Sequence, residues 1–117
     1  MNAPEQSTLP ILMREDKEGV ATLTLNRPTQ FNSLSEEMLA ELQAALDAIA
    51  KDVSVRAVVI AGAGKAFCAG HDLKQMRANH SKAYMQKLFK QCGKVMMSIT
   101  EMPQPVIARI HGIATAA

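Results

Sequence analysis

Aromatic residues are scarce in this chain, and strongly basic stretches are missing from it. Phe, Tyr and Trp together make up 3% of the residues and Trp is absent, so few side chains could stack on single-stranded nucleic acid. Thirteen basic and eleven acidic side chains leave a net charge of +2, with no run of Lys or Arg. Neither nucleic acid nor an anionic membrane is therefore a favoured partner.

Cysteine and long apolar runs are equally limited. Cys68 and Cys92 belong to no paired metal-ligand spacing, and a reduced cytosolic protein is a plainer interpretation than one lone disulfide. Residues 1–10 contain no basic charge and no apolar core, which excludes a secretory signal or transit peptide there. No apolar run approaches the roughly 20 residues of a membrane span. We expect a cytoplasmic protein with a flexible tail at residues 1–10.

The pattern of apolar residues predicts alternating strands and helices. ILMRED and GVATLTLN are typical of two strands joined by a turn, and VRAVVIAG indicates a strand buried on both faces. Between them, SLSEEMLAELQAALDAIAKD predicts a helix that Ser33 or Ser35 caps. DLKQMRAN, residues 81–101 and VIARIHG (106–112) predict a short helix, a long helix and a last strand. The fold class is α/β, with a right-handed crossover between parallel strands.

Several motifs that resemble ligand sites fail on their spacing. AGAGKAF (61–67) lacks the first Gly and the hydroxyl of a phosphate loop, and it lacks the third Gly of a dinucleotide fingerprint. Cys68 and His71 are three residues apart, but His80 and His111 supply no matching metal-binding pair. The scattered serines form no recognisable Ser–His–Asp triad. We predict no metal and no bound cofactor.

FCAGHDL (67–73) is the more informative stretch, because a flexible residue and polar residues follow a buried strand. Gly70 permits an unusual backbone angle, and Asp72 can begin a helix. The N–H group of His71 would then point outward beside the positive end of a helix, which suits an anion. An ordinary glycine turn with an Asp cap explains the same residues, and the local pattern leaves both interpretations open.

A resemblance of four segments, in the same order along the chain, to a known family decides between the two interpretations of this turn. GKAFCAGHDLKQM resembles the oxyanion-loop motif of the crotonase (enoyl-CoA hydratase/isomerase) superfamily. VATLTLNRPTQFNSLS, VRAVVIAG and QPVIARIHGIATAA resemble further segments of that family at matching positions. The resemblance implies an incomplete crotonase-like ββα spiral. Residues 11–117 would form the N-terminal portion of the domain, ending before the downstream catalytic segment.

The resemblance also implies a chemistry. Members of this superfamily bind acyl-CoA thioesters and stabilise an enolate or tetrahedral oxyanion with two backbone N–H groups, which match His71 and Ala117 here. The family usually has Gly in the second turn, where this chain has Ala116 and Ala117. The imidazole of His71 is expected to line the acyl site rather than to act as an acid or base. Coenzyme A enters only as part of the substrate.

The same matching assigns residues to substrate binding. Lys65 and Lys74 are expected to contact phosphate groups of the coenzyme. The other residues expected to bind the substrate are Thr29, Gln30, Phe31, Ala69, Gly70, Asp72 and Leu73.

The expected function is that of a hydratase or isomerase of fatty acid metabolism, a lyase or isomerase that forms a homotrimer or a dimer of trimers when complete. The 117 residues alone are expected to be inactive, because the acid/base carboxylates of such hydratases follow the second oxyanion turn. Hydration, isomerisation, decarboxylation and thioester hydrolysis stay open. A non-catalytic subunit or pseudoenzyme is the main alternative, and a small free-standing α/β module is a third.

Overall fold

A four-stranded sheet organises the chain in the computed structural model, which describes residues 9–115. The strands lie in the order β1-β2-β3-β4; the first pair is antiparallel and the other two pairs are parallel. Their bounds are β1 Leu12–Lys17, β2 Val20–Leu25, β3 Ala57–Gly62 and β4 Val106–Ala108. The mixed sheet with its helices confirms the predicted α/β class.

A two-residue turn joins β1 to β2. Lys17 pairs with Val20, and the residues between them, Glu18 and Gly19, have φ angles of 53° and 83°. Positive φ at both central positions is the geometry of a type I′ hairpin turn, which matches the twist of the flanking strands. The predicted turn is therefore present, although β1 continues to Lys17 instead of ending at Asp16.

The helix α1, Glu36–Ala50, connects β2 to the parallel strand β3. Ser35 caps it by accepting a hydrogen bond from the Met38 amide at 3.1 Å, so Ser35 rather than Ser33 is the cap. The predicted apolar stripe is buried, and its members are Met38, Leu39, Leu42, Leu46 and Ile49. Periodicity of 3.6 residues and a good cap together explain why this helix was predictable.

Strand β3 departs from the prediction on one face. Val58 and Ile60 are buried on one face, whereas on the other face Ala61 is buried and Ala57 and Val59 are partly exposed. The prediction of burial on both faces therefore holds only in part for the residues that the structure describes. The apolar side contributes to a core that β2, β3, α1 and the long C-terminal helix share.

Two further helices have the predicted starts. Asp72 caps α2, Leu73–Ala78, and Ser81 caps α3, Lys82–Glu101. Helix α3 packs on α1 and buries Leu88, Cys92 and Val95. Within residues 9–115 no helix is both long enough and apolar enough to span a bilayer.

The last strand is shorter than predicted. β4 ends at Ala108 and not at Gly112, although the Arg109 amide still donates to the Ile60 carbonyl at 2.8 Å. Gly112 then has a φ of 62°, a left-handed conformation that turns the chain away from an extended path. After this turn the chain forms one isolated parallel bridge, between Cys68 and Ala114.

Candidate functional site

The candidate site is the loop that leaves the carboxyl end of β3. At Gly70 the chain has a φ of 88°, which few residues other than glycine adopt. The Ala69 amide donates to the Phe31 carbonyl at 2.9 Å, and the Leu34 amide donates to the Gly70 carbonyl at 2.7 Å. Two backbone hydrogen bonds therefore hold residues 69 and 70 against the turn at residues 31–34.

His71 follows directly and forms an isolated parallel bridge with Leu34. Among residues 9–115, no backbone carbonyl accepts a hydrogen bond from the His71 amide. Asp72 next accepts from the Gln75 amide at 3.1 Å through its carboxylate, which starts α2. The His71 N–H group thus lies between a clamped glycine turn and a capped helix, with no acceptor from the described backbone.

The imidazole of His71 packs against helix α3. Its ring makes an edge-to-face contact with Phe89, with centroids 5.3 Å apart and planes at 75°. The Nδ1 atom is enclosed and has no hydrogen-bond partner among the described residues. Aromatic packing of this kind fixes the ring's orientation and leaves the backbone amide of His71 separate from it.

Gln75 fastens α2 to the start of α1. Its side-chain carbonyl accepts from the Glu36 amide at 2.9 Å, and its NH₂ group donates to the Glu37 carboxylate at 3.2 Å. Backbone hydrogen bonding at the helix start, followed by this contact with Gln75, lowers the pKa of Glu37. The helix that follows the candidate loop is therefore anchored to the main core helix.

A second segment runs beside the candidate loop. The Ile113 carbonyl accepts from the amides of Phe67 and Cys68 at 2.9 and 3.1 Å, and the Thr115 amide donates to the Cys68 carbonyl at 3.1 Å. These bonds make residues 113–115 a short parallel neighbour of residues 67–68. Ala117, the second predicted donor, lies outside the described residues.

Residues predicted to bind the coenzyme are distributed around the loop. Thr29 and Gln30 are exposed in a 3-10 turn, Pro28–Gln30, and Phe31 after it is 50% exposed. Lys65 is exposed in the loop after β3, and the start of α2 exposes Leu73 and Lys74. The hydrogen bond from Ala69 to Phe31 directly joins the first group to the loop.

An apolar cavity of about 420 Å³ adjoins Phe67 and Cys68. Among residues 9–115, Thr115 is the one polar residue that lines it; the others are Leu25, Leu34, Leu42, Ile60, Phe67, Cys68, Val95, Met96, Ile99, Val106, Ala108 and Ala114. Burial raises the pKa of the Cys68 thiol, which keeps it in the neutral form near pH 7. A hydrocarbon group suits this lining.

Asn32 is the residue of this region that the sequence analysis missed. Its side chain is 0% exposed and its φ is 55°. The side-chain amide binds backbone groups on both the 27–32 turn and the loop after β3. Asn tolerates left-handed backbone better than most residues, and its place after a Pro-containing turn was the available signal.

Comparison with known proteins identifies the family. The family model described as Enoyl-CoA hydratase/isomerase matches residues 15–117, most of the chain. The chain therefore belongs to the enoyl-CoA hydratase/isomerase family, as the four motifs predicted.

The relatives that this chain resembles have different names. Enoyl-CoA hydratase domain-containing protein 3, mitochondrial, of Xenopus laevis is 36% identical over 108 residues, which are 92% of this chain and 37% of the relative. The 1,2-epoxyphenylacetyl-CoA isomerase of Escherichia coli (strain K12) is 33% identical over 104 residues, 86% of this chain and 40% of the relative. The chain thus spans well under half the length of both relatives.

Solved structures agree with the sequence comparison. The enoyl-CoA hydratase of Mycobacterium smegmatis superposes with a TM-score of 0.88 at 60% identity, covering 91% of this chain and 42% of that one. The enoyl-CoA hydratase of Bacillus anthracis gives a TM-score of 0.85 at 37% identity, with 90% and 41% covered. The predicted crotonase-like fold, represented here in part, is confirmed.

Proposed function

We propose that this chain is the acyl-CoA-binding segment of an enzyme of enoyl-CoA hydratase or isomerase type. In this proposal the amides of His71 and Ala117 together donate hydrogen bonds to the thioester oxygen and stabilise an enolate. Family membership and the two names of the relatives, a hydratase-domain protein and an isomerase, support the general type.

The parallel bridge between Cys68 and Ala114 carries the proposal. These two residues are 46 positions apart in the sequence, as are His71 and Ala117. The segment that would carry the second donor therefore follows directly on residues 113–115, which pair with residues 67–68 beside the candidate loop. The lack of a described backbone acceptor for the His71 amide adds to this support.

Two fixed amides suit the chemistry of a thioester. Negative charge gathers on the thioester oxygen as an enolate forms, and backbone dipoles that are already in place need not reorganise to meet it. Removing one such donor typically costs about 3–4 kcal/mol in transition-state stabilisation. The imidazole of His71, packed on Phe89, would line the acyl site and not transfer protons.

Substrate contacts in this proposal surround the same loop. Lys65 and Lys74, both exposed, would meet phosphate groups of the coenzyme. The other proposed contacts are Thr29, Gln30, Phe31, Ala69, Gly70, Asp72 and Leu73. Coenzyme A would be needed only as part of the substrate; trimeric assembly and a cytoplasmic location stay predictions.

Titration of the ¹⁵N-labelled 117-residue chain with crotonyl-CoA tests the proposal. The amide resonance of His71 should shift with the thioester and move much less with free coenzyme A, because only the thioester offers the carbonyl oxygen. A folded chain whose His71 resonance is unmoved at millimolar thioester would refute the assignment. We expect no measurable hydration of crotonyl-CoA by these residues alone, and substantial turnover would contradict that expectation.

A further inference from the structure

We propose that Asn32 is a positioning residue for the candidate oxyanion loop, so that its side chain determines where the His71 amide lies. This inference rests on the proposed function for its consequence in acyl-CoA binding. Its structural part, control of the loop's conformation by one buried amide, stands on the contacts of Asn32 alone.

The side chain of Asn32 joins two segments that are far apart in sequence. Its Nδ2 atom donates to the carbonyls of Ala63, Ala66 and Phe67 at 2.9, 2.9 and 3.2 Å. Its Oδ1 atom accepts from the Arg27 amide at 2.8 Å. Because the side chain is fully buried, losing its amide would leave these backbone groups without their partner at a site closed to bulk solvent, which is costly.

Backbone groups on either side of Asn32 hold the next part of the loop. The preceding residue, Phe31, accepts from the Ala69 amide, and Leu34 donates to the Gly70 carbonyl. The side chain therefore fixes residues 63–67, while its own backbone neighbours fix residues 69 and 70. His71 follows the last of these contacts, so its amide direction depends on all of them.

Left-handed backbone makes this double attachment feasible. Phe31 and Asn32 have φ angles of 53° and 55°, which reverse the chain between the 3-10 turn and α1. Gly would accept this backbone equally well but would offer no side chain, and Gln would place its amide one methylene further out. Asn both tolerates the left-handed backbone and supplies an NH₂ group that reaches the carbonyls of the loop.

Gln104 offers a matched control at the other end of β3. It is also buried, and its Nε2 atom also donates to three backbone carbonyls, those of Ile49, Asp52 and Val55. None of those carbonyls belongs to the candidate loop. Gln104→Ala therefore shows whether the loss of a buried amide outside the loop, with its cost in stability, is enough to change the measurements near residue 71.

The experiment compares Asn32→Gly and Asn32→Asp with Gln104→Ala in the 117-residue chain. Asn32→Gly keeps the backbone freedom and removes the side chain; Asn32→Asp keeps its size and the acceptor for Arg27 but loses the NH₂ donor. Amide hydrogen exchange at Leu34 and Ala69 and the His71 resonance are recorded without ligand. Crotonyl-CoA affinity is then measured by titration.

We expect both Asn32 variants to speed exchange at Leu34 and Ala69, to move the His71 resonance, and to weaken crotonyl-CoA binding about tenfold or more. Gln104→Ala should lower stability yet leave the His71 resonance in place and the affinity within about twofold of the native chain. Asn32→Asp places a carboxylate against the carbonyls of the loop and Asn32→Gly introduces no charge, so either variant that folds decides the question.

Unchanged exchange and an unmoved His71 resonance in a folded Asn32 variant would overturn the inference, as would equal changes in Gln104→Ala. A native chain that binds no crotonyl-CoA would refute the proposed function instead. In that event the ligand-free exchange and resonance data still decide whether Asn32 positions the loop.

Discussion

Two buried side-chain amides, at opposite ends of β3, use the same chemistry for different purposes. Asn32 binds carbonyls that follow the strand, and Gln104 binds carbonyls that precede it. In each case one side-chain NH₂ group donates to three backbone carbonyls. Buried carbonyls need partners wherever a strand or helix stops, and a side-chain amide is a compact way to supply them.

The two differ in how completely they are paired. Asn32 also accepts from the Arg27 amide, whereas the Oε1 atom of Gln104 is buried without a partner among the described residues. Asn32 lies in left-handed backbone and fixes the direction of a turn. Gln104 fastens the end of α1 to the start of β3. Asn32, the amide with more of its hydrogen-bonding groups paired, is thus the one that contacts the candidate loop.

The largest expected effect comes from Asn32→Ala, which removes the side-chain amide and places Ala, a residue that tolerates left-handed backbone less well than Asn, at a φ of 55°. Unsatisfied buried carbonyls and the strained φ together should lower the free energy of unfolding by about 3 kcal/mol. Gln104→Ala should cost less, about 2 kcal/mol, since it also removes an unpaired acceptor. Urea unfolding followed by circular dichroism measures both. Equal losses would remove the distinction drawn between the two ends.

Gly112→Ala tests the same loop after β3 through the segment at residues 112–115, which contacts it. A Cβ atom at residue 112 would collide with the Lys65 carbonyl, and the φ of 62° is unfavourable for Ala. We expect a loss of about 2 kcal/mol in unfolding free energy and faster exchange of the Phe67 and Cys68 amides. Exchange that stays slow would show that residues 113–115 do not depend on this turn.

Gly93→Ala is the matched substitution away from both ends. Gly93 lies exposed within α3, and apart from its chain neighbours and the backbone of its own helix no atom of the described residues would lie within 4 Å of a Cβ at this position. Because Ala favours helix over Gly, the substitution should raise the unfolding free energy by about 1 kcal/mol. A decrease in the urea midpoint would mean that this face of α3 makes contacts beyond those described.

The smallest expected effect concerns the two thiols. Burial raises the pKa of both Cys68 and Cys92 above the ordinary 9.0. At pH 8 they should react with a disulfide reagent at least about tenfold more slowly than in urea. Similar rates in both solvents would contradict their burial.

The sign of the pH dependence follows from the raised pKa values. The neutral thiols are favoured in the folded chain, so their contribution to stability is fully present below pH 9.0 and declines as the pH rises through the folded pKa values. Urea midpoints at pH 8 and pH 10 measure this decline, and replacing Cys92 by Ala should reduce it.

Local patterns in the sequence predicted the elements that local forces control. The capped, periodic helix α1 and the starts of α2 and α3 at Asp72 and Ser81 are in place. β4 was overestimated, because a run of apolar residues does not show that Gly112 turns the chain. The exposure of one face of β3 depends on what packs there, which strand composition does not encode.

The candidate site was predictable only in its loop. Gly70 in left-handed backbone and Asp72 as a helix cap follow from residue type. The contact of the Asn32 NH₂ group with the loop was not predictable, since the carbonyls that it binds lie more than 30 positions away in sequence. A short-range pattern cannot show which distant carbonyls a buried amide will reach.

The order of these contacts along the chain has a consequence for biosynthesis. Every partner of the Asn32 side chain lies at or before Phe67, and the bonds to Phe31 and Leu34 involve nothing later than Gly70. A ribosome that has released residues up to Gly70 has already delivered every group that takes part in these bonds around Asn32. Residues 113–115 then add themselves to an existing edge, so the two sides of the candidate site would be assembled in sequence during translation.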